Sequence, residues 1–301
     1  VNLARAVVGL ELTLGVMSRL GVSLTGIMVA IGGMASVLSL LAGCASIDRN
    51  EHADAMARAA GLTRELVHTD AFVLTAYARI GDPAQPLDIY FEGDGYAWIS
   101  PDQPALDPTP YVALGLALAA ADPAPNVVYL ARPCQFTPIA MNPRCGVPYW
   151  TGRRYAPEVV ASTNQAVSVF ASRAPEQGVN LIGYSGGGAL AVLVAAARSD
   201  TLSIRTIAGN LDHAYVNHLH DVSPMPDSLN PIDSATRVAA IPQIHFSGAD
   251  DTVVPAQVAR RFAAAAGSRC SQVRIEPDMA HDGLWNRLWP TLLRDVPVCG
   301  P

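Results

Sequence analysis

The sequence predicts an α/β fold, a mostly parallel central sheet with helices on both faces. Short apolar runs bounded by glycine or proline recur along the chain, as expected of strands buried on two sides. Stretches with helical apolar spacing separate them, the alternation that builds parallel sheets. The richness in alanine, glycine and proline has no repeat period and no second core is legible, so 71–301 reads as one domain.

The elements follow in order. The polar, alanine-rich stretch 46–60 ends at Gly61 and reads as a tether leading into a helix. Residues 71–80 form a strand-like run, Gly81-Asp82-Pro83 a turn and 87–91 a second strand, a pattern that predicts a hairpin. The run 111–121 is helical, and 126–131 is a strand held between Pro125 and Pro133. A long amphipathic helix covers 155–173, a strand 179–184 and a helix 188–198. Further strands are expected at 202–207, 241–246 and 272–275, and the last helices at 255–265 and 283–293. The exception is 210–238, long, polar and punctuated by proline. A segment of that kind inside a compact domain is usually a binding loop, so a short cap or lid is expected there.

At 301 residues, half of them hydrophobic, the chain can bury one large core. Only 15% of it is charged and the net charge is −6. Without a basic stripe, that balance argues against a nucleic-acid partner.

Gly183-Tyr184-Ser185-Gly186-Gly187 lies between the 179–182 strand and the following helix. A serine at a tight strand-to-helix turn is lifted out of the sheet, where a base and a carbonyl can reach it. The hydroxyl is a weak nucleophile and needs a base, which in turn needs an orienting acid. Gly248-Ala249-Asp250-Asp251-Thr252-Val253-Val254-Pro255 follows one strand, and Met279-Ala280-His281-Asp282-Gly283 follows the last. Both fall at the strand ends that also carry Ser185, the edge where ligands bind in open α/β sheets. From about 71 to the C-terminus the chain therefore resembles the α/β-hydrolase superfamily, in the order Ser, Asp, His. The resemblance implies Ser185 as nucleophile, Asp251 rather than Asp250 as acid, and His281 as base. It implies an oxyanion hole made by the N–H groups of Gly186 and Asp94. Glu92-Gly93-Asp94-Gly95 stands where many members carry His-Gly. Apart from the family, Glu92 and Asp94 read as a solvated turn, and either Asp250 or Asp251 as a helix cap.

The run 22–43 has no charged residue, follows Arg19 and ends in Leu41-Ala42-Gly43-Cys44, which describes a secretory signal. This end resembles the lipobox of bacterial lipoproteins. The resemblance implies removal of 1–43, acylation of Cys44 and, with Ala45 in place of aspartate, an outer-membrane location at the periplasmic face or the cell surface. Each buried CH₂ of the acyl chains contributes about 0.8 kcal/mol to anchoring. Glu11 in the apolar 1–16 makes Met17 the expected start. An uncleaved anchor is the alternative, since about 20 apolar residues span a bilayer. Residues 44–70 are then a tether and N-terminal helix in an oxidising space.

Four cysteines remain, an even number that suggests two disulfides. Cys134–Cys145 and Cys270–Cys299 are favoured because each closes a local loop or ties down an end, against four free buried thiols. His213, His218 and His220 do not match a zinc spacing, and His245 reads as structural, so no metal and no cofactor is expected. Trp98, Trp150, Trp285 and Trp289 read as core or rim. The expected activity is hydrolysis of an ester or related acyl bond in a small-molecule substrate. Peptidase or acyltransferase activity on the same fold, or a ligand-binding lipoprotein without turnover, remain open, as does the oligomeric state.

Overall fold

The computed structural model describes residues 48–300, and the segment carrying Cys44 and the expected signal lies outside them. An eight-stranded sheet runs β1 (Thr63–His68), β2 (Val73–Ile80), β6 (Asn126–Leu130), β3 (Leu87–Phe91), β7 (Val179–Tyr184), β8 (Thr201–Ile207), β9 (Gln243–Gly248), β10 (Ser271–Glu276). β1–β2 and β2–β6 pair antiparallel, and from β6 onward every pairing is parallel. A separate ribbon, β4 (Trp98–Ser100) and β5 (Gln103–Pro104), follows β3.

The expected hairpin of β2 and β3 does not form. β6 lies between them, antiparallel to β2 and parallel to β3. The buried Asn126 turns the chain instead, its Oδ1 accepting from the N–H groups of Gly81 and Asp82. The sheet also begins at Thr63 rather than at 71.

Two cores sandwich the sheet. One packs α3 (Pro157–Ala171), α4 (Gly186–Ala195) and α6 (Gln257–Ala266) against one face. The other packs α1 (Arg49–Ala59), α2 (Leu114–Ala120) and α7 (Trp285–Leu292) against the opposite face. Every residue of α4 is buried, as its uniformly apolar sequence requires. Trp285 and Trp289 of α7 are fully buried, and Trp289 donates to the Tyr90 hydroxyl at 2.9 Å. Among the described residues no helix is long and apolar enough to cross a membrane.

The 210–238 segment contains α5 (His213–Leu219) and a 3₁₀ turn at Pro231–Val238. Buried Asp212 fixes it by accepting from Tyr215 N–H and Asn230 Nδ2 and pairing with Arg261 at 3.0 Å. None of its residues lines the cavity at Ser185; Asn217 and residues 220–225 line the cavity that adjoins it. Disulfides join Cys134 to Cys145 and Cys270 to Cys299.

Candidate active site

Because β3, β7, β9 and β10 run parallel, the loops after them meet at one edge of the sheet. Ser185 occupies the turn from β7 into α4 with φ 51° and ψ −119°, a strained conformation for a side-chain-bearing residue. The turn is possible because its neighbours lack side chains. A Cβ on Gly183 would lie 2.1 Å from the Gly187 carbonyl oxygen, and one on Gly187 2.2 Å from that of Phe91.

His281 Nε2 lies 3.0 Å from Ser185 Oγ, and Nδ1 lies 2.9 Å from Asp251 Oδ2. The other carboxylate oxygen of Asp251 accepts from the N–H groups of Val253 and Val254 at 2.9 and 2.8 Å. Its side chain is fully enclosed, so both oxygens are held and one is aimed at the imidazole. Asp250 is exposed and takes no part. Behind the ring, the Tyr184 hydroxyl and Trp285 Nε1 both donate to the His281 carbonyl oxygen.

The β3 loop passes directly over the serine. A Cβ on Gly93 would lie 3.4 Å from that of Ser185, and one on Gly186 would lie 2.0 Å from Asp94 Oδ1. Glu92 and Asp94 are therefore not a solvated turn. Glu92 is 1% exposed, and its carboxylate accepts from the N–H groups of Gly93, Gly115 and Leu116 and from the Tyr129 hydroxyl. It thus caps the N-terminus of α2 and ties it to the end of β3. Burial pushes the Glu92 carboxyl above its usual range even against these four bonds. Glu92 also occupies the Gly93 N–H. The N–H groups of Asp94 and Gly186 have no hydrogen-bond partner among the described residues.

The Asp94 side chain points into a cationic nest and is only partly exposed. Arg132 Nη1 donates to Oδ1 and Arg154 Nη1 to Oδ2, both at 2.8 Å, and the Tyr155 hydroxyl adds a third bond at 3.2 Å. Burial opposes the charge on Asp94, but Arg154 and Arg132 outweigh it and hold the carboxyl below the usual carboxylate range. The sequence gives no local sign of these partners, since Arg132 and Arg154 lie far along the chain from Asp94.

A cavity of about 490 Å³ opens at Ser185 and His281, walled by the chain from Glu92 to Trp98, by Tyr111 and Val112, and by Arg154. Tyr111 and Val112 precede α2 and are not helical as expected; they stay exposed on the rim with Trp98. The other three tryptophans are core. His245 is sealed within β9 between Thr206 and Gln243, and burial lowers it to about 3. Among the described residues no three His, Cys, Asp or Glu side chains gather as a metal site would require.

The chain has the α/β-hydrolase fold. It is similar to a puromycin-hydrolysing peptidase of Mycobacterium tuberculosis, with a TM-score of 0.56 and 14% identity over 78% of this chain and 38% of that one. It is also similar to a Xanthomonas campestris α/β serine hydrolase without lid (TM-score 0.51, 13% identity, 80% and 97% covered). A third likeness is to a membrane phospholipase A described as a bacterial virulence factor (0.51, 14%, 88% and 99%). The chain spans about two fifths of the length of the peptidases it matches. No family model and no curated protein matches the sequence.

Proposed function

We propose that the protein is a serine hydrolase cleaving an ester or related acyl bond through an acyl-enzyme. The observation that carries this reading is the continuous chain from Ser185 Oγ through His281 to the enclosed Asp251. Oγ attacks the acyl carbonyl as Nε2 takes its proton. The imidazolium that forms is stabilised by Asp251 and returns the proton to the leaving group. Water then attacks the acyl-enzyme with His281 again as base, releasing the acid and restoring Ser185. The oxyanion would be received by the N–H groups of Gly186 and Asp94, since Glu92 already occupies that of Gly93. Cys44 would carry the lipid anchor that fixes the enzyme to a membrane.

A fluorophosphonate probe tests the nucleophile. Labelling is expected in the wild type and lost in Ser185→Ala; an unlabelled wild type sinks the reading. Ser185→Ala and His281→Ala should lower kcat by similar factors, of the order of 10⁴–10⁶, because members of such a triad act as a unit. Activity that survives His281→Ala would place the base elsewhere. Ester, thioester and peptide substrates compared side by side, with competing acyl acceptors, separate esterase from peptidase and acyltransferase.

A further inference from the structure

Arg154 stands where the Ser185 cavity adjoins a second one of about 800 Å³; it and Trp98 line both. Its Nη1 is committed to Asp94, and its Nε faces Met225 Sδ at 3.1 Å. Nη2 is not sealed in and has no hydrogen-bond partner among the described residues.

The local charge does not balance. Asp94 offers one negative charge to two guanidinium groups. Arg132 is the better buried, its side chain 5% exposed; its Nη1 and Nη2 donate to Asp94 and to the Arg154 carbonyl oxygen, and its Nε is sealed in without a partner, so it offers no open donor to a ligand. Glu92 makes no ion pair with either guanidinium: its partners are the N–H groups of Gly93, Gly115 and Leu116 and the Tyr129 hydroxyl, and burial disfavours its charged form. Asp221, which also lines the second cavity, is exposed to solvent, where its field is screened. One positive charge is thus left on the wall beside the nucleophile, on a side chain only 16% exposed. A guanidinium removed from water in this way favours an anion, and the open Nη2 can donate to a carboxylate oxygen.

We propose that the site takes acyl substrates bearing a carboxylate, which Arg154 Nη2 binds while Trp98 packs against the chain that carries it. This rests on the serine-hydrolase reading and makes Arg154 the residue that selects among acyl groups. Placing the charge at the junction leaves the cavity at Ser185 for the scissile bond and the second cavity for the remainder of the substrate.

The test compares p-nitrophenyl half-esters of straight-chain dicarboxylic acids, adipate upward, with p-nitrophenyl esters that end in a methyl group instead of the carboxylate. At the best chain length the wild type should prefer the half-ester in kcat/KM by roughly 10- to 100-fold, the range of a hydrogen bond to a charged group. Arg154→Gln should abolish the preference, chiefly by raising KM for the half-esters, and Arg154→Lys should restore part of it. Since Arg154 also holds Asp94, either variant can lower the rate on both ester classes; the ratio between classes is the readout. A wild type without preference, or an Arg154→Gln variant that keeps it, overturns the assignment. Fluorophosphonate labelling of Ser185 in the same samples keeps the two readings apart. An unlabelled wild type defeats the hydrolase reading, whereas a labelled wild type without preference defeats only the role of Arg154.

Discussion

Glu92 shows how one side chain can serve a site it does not enter. Four donors converge on its two oxygens, and one of them is the Gly93 N–H, which lies beside the serine. The carboxylate therefore fixes the peptide planes that precede Asp94 and leaves the Asp94 N–H free. Glu92→Gln keeps the volume but turns an amide NH₂ toward a donor, so at least one buried N–H or O–H loses its acceptor. Unfolding free energy should fall by about 1–3 kcal/mol, with a matching drop in kcat as the loop loosens. Chemical denaturation and steady-state kinetics on the same preparation check both; unchanged values would mean that Gly93 and α2 are held by other contacts. The sequence shows this position only as a departure from the family's His-Gly. Its neighbour Asp94 makes it look solvated, because three of its four donors come from α2 and β6.

The connection from β6 to α3, residues 131–156, holds two guanidinium groups against Asp94 with no regular structure beyond short 3₁₀ turns. Cys134–Cys145 closes a loop within it, with a sequence separation of 11. Removing that bridge with Cys134→Ser/Cys145→Ser should cost about 2–3 kcal/mol, the loop-entropy range for so short a loop. It should also lower turnover, since Arg132 sits two residues before the bridge. Thermal unfolding of the double variant beside the wild type measures the first effect; an unchanged Tm would show that the loop is held by Trp150 and its packing alone. Such connections are where sequence reading stops. An apolar run announces a strand buried on both faces, so β3, β6, β7 and β9 were legible. β1 was not, because Thr-Arg-Glu-Leu-Val-His at the sheet edge buries only Val67 fully. The expected hairpin came from the closeness of β2 and β3 in sequence, whereas β6 enters between them from more than 30 residues away. Ser185, Asp251 and His281, which the structure brings within hydrogen-bond reach of one another, each follow a strand end and could be picked out there; Arg132 and Arg154 reach Asp94 across 38 and 60 residues, with no comparable marker.

Across the whole molecule, two buried groups in the sheet titrate in opposite senses. Burial, and then the neighbouring Asp122, push the Asp88 carboxyl up from 3.8 to about 7. Burial alone drives His245 down from 6.5 to about 3. As pH rises above 3.8 the unfolded chain releases the Asp88 proton while the folded state keeps it. That stabilisation is complete below 3.8 and lost as pH rises through about 7. His245 behaves in reverse. Its stabilisation is complete above 6.5 and lost as pH falls toward 3, because the unfolded chain takes up a proton that the folded state refuses. Over the shared window the two slopes oppose each other, and the wild type should respond less to pH than either group alone dictates. Asp88→Asn removes one titration and keeps an oxygen to accept from Asn180, which donates to Asp88 at 2.7 Å. Its stability should climb with pH across the window more steeply than that of the wild type. His245→Gln removes the other titration, and relative to the wild type its stability should climb less with pH across the window. Urea unfolding at a series of pH values, with all other carboxylates common to the three proteins, reads both differences. A variant whose curve runs parallel to the wild type's would show that the replaced group titrates as it does in the unfolded chain.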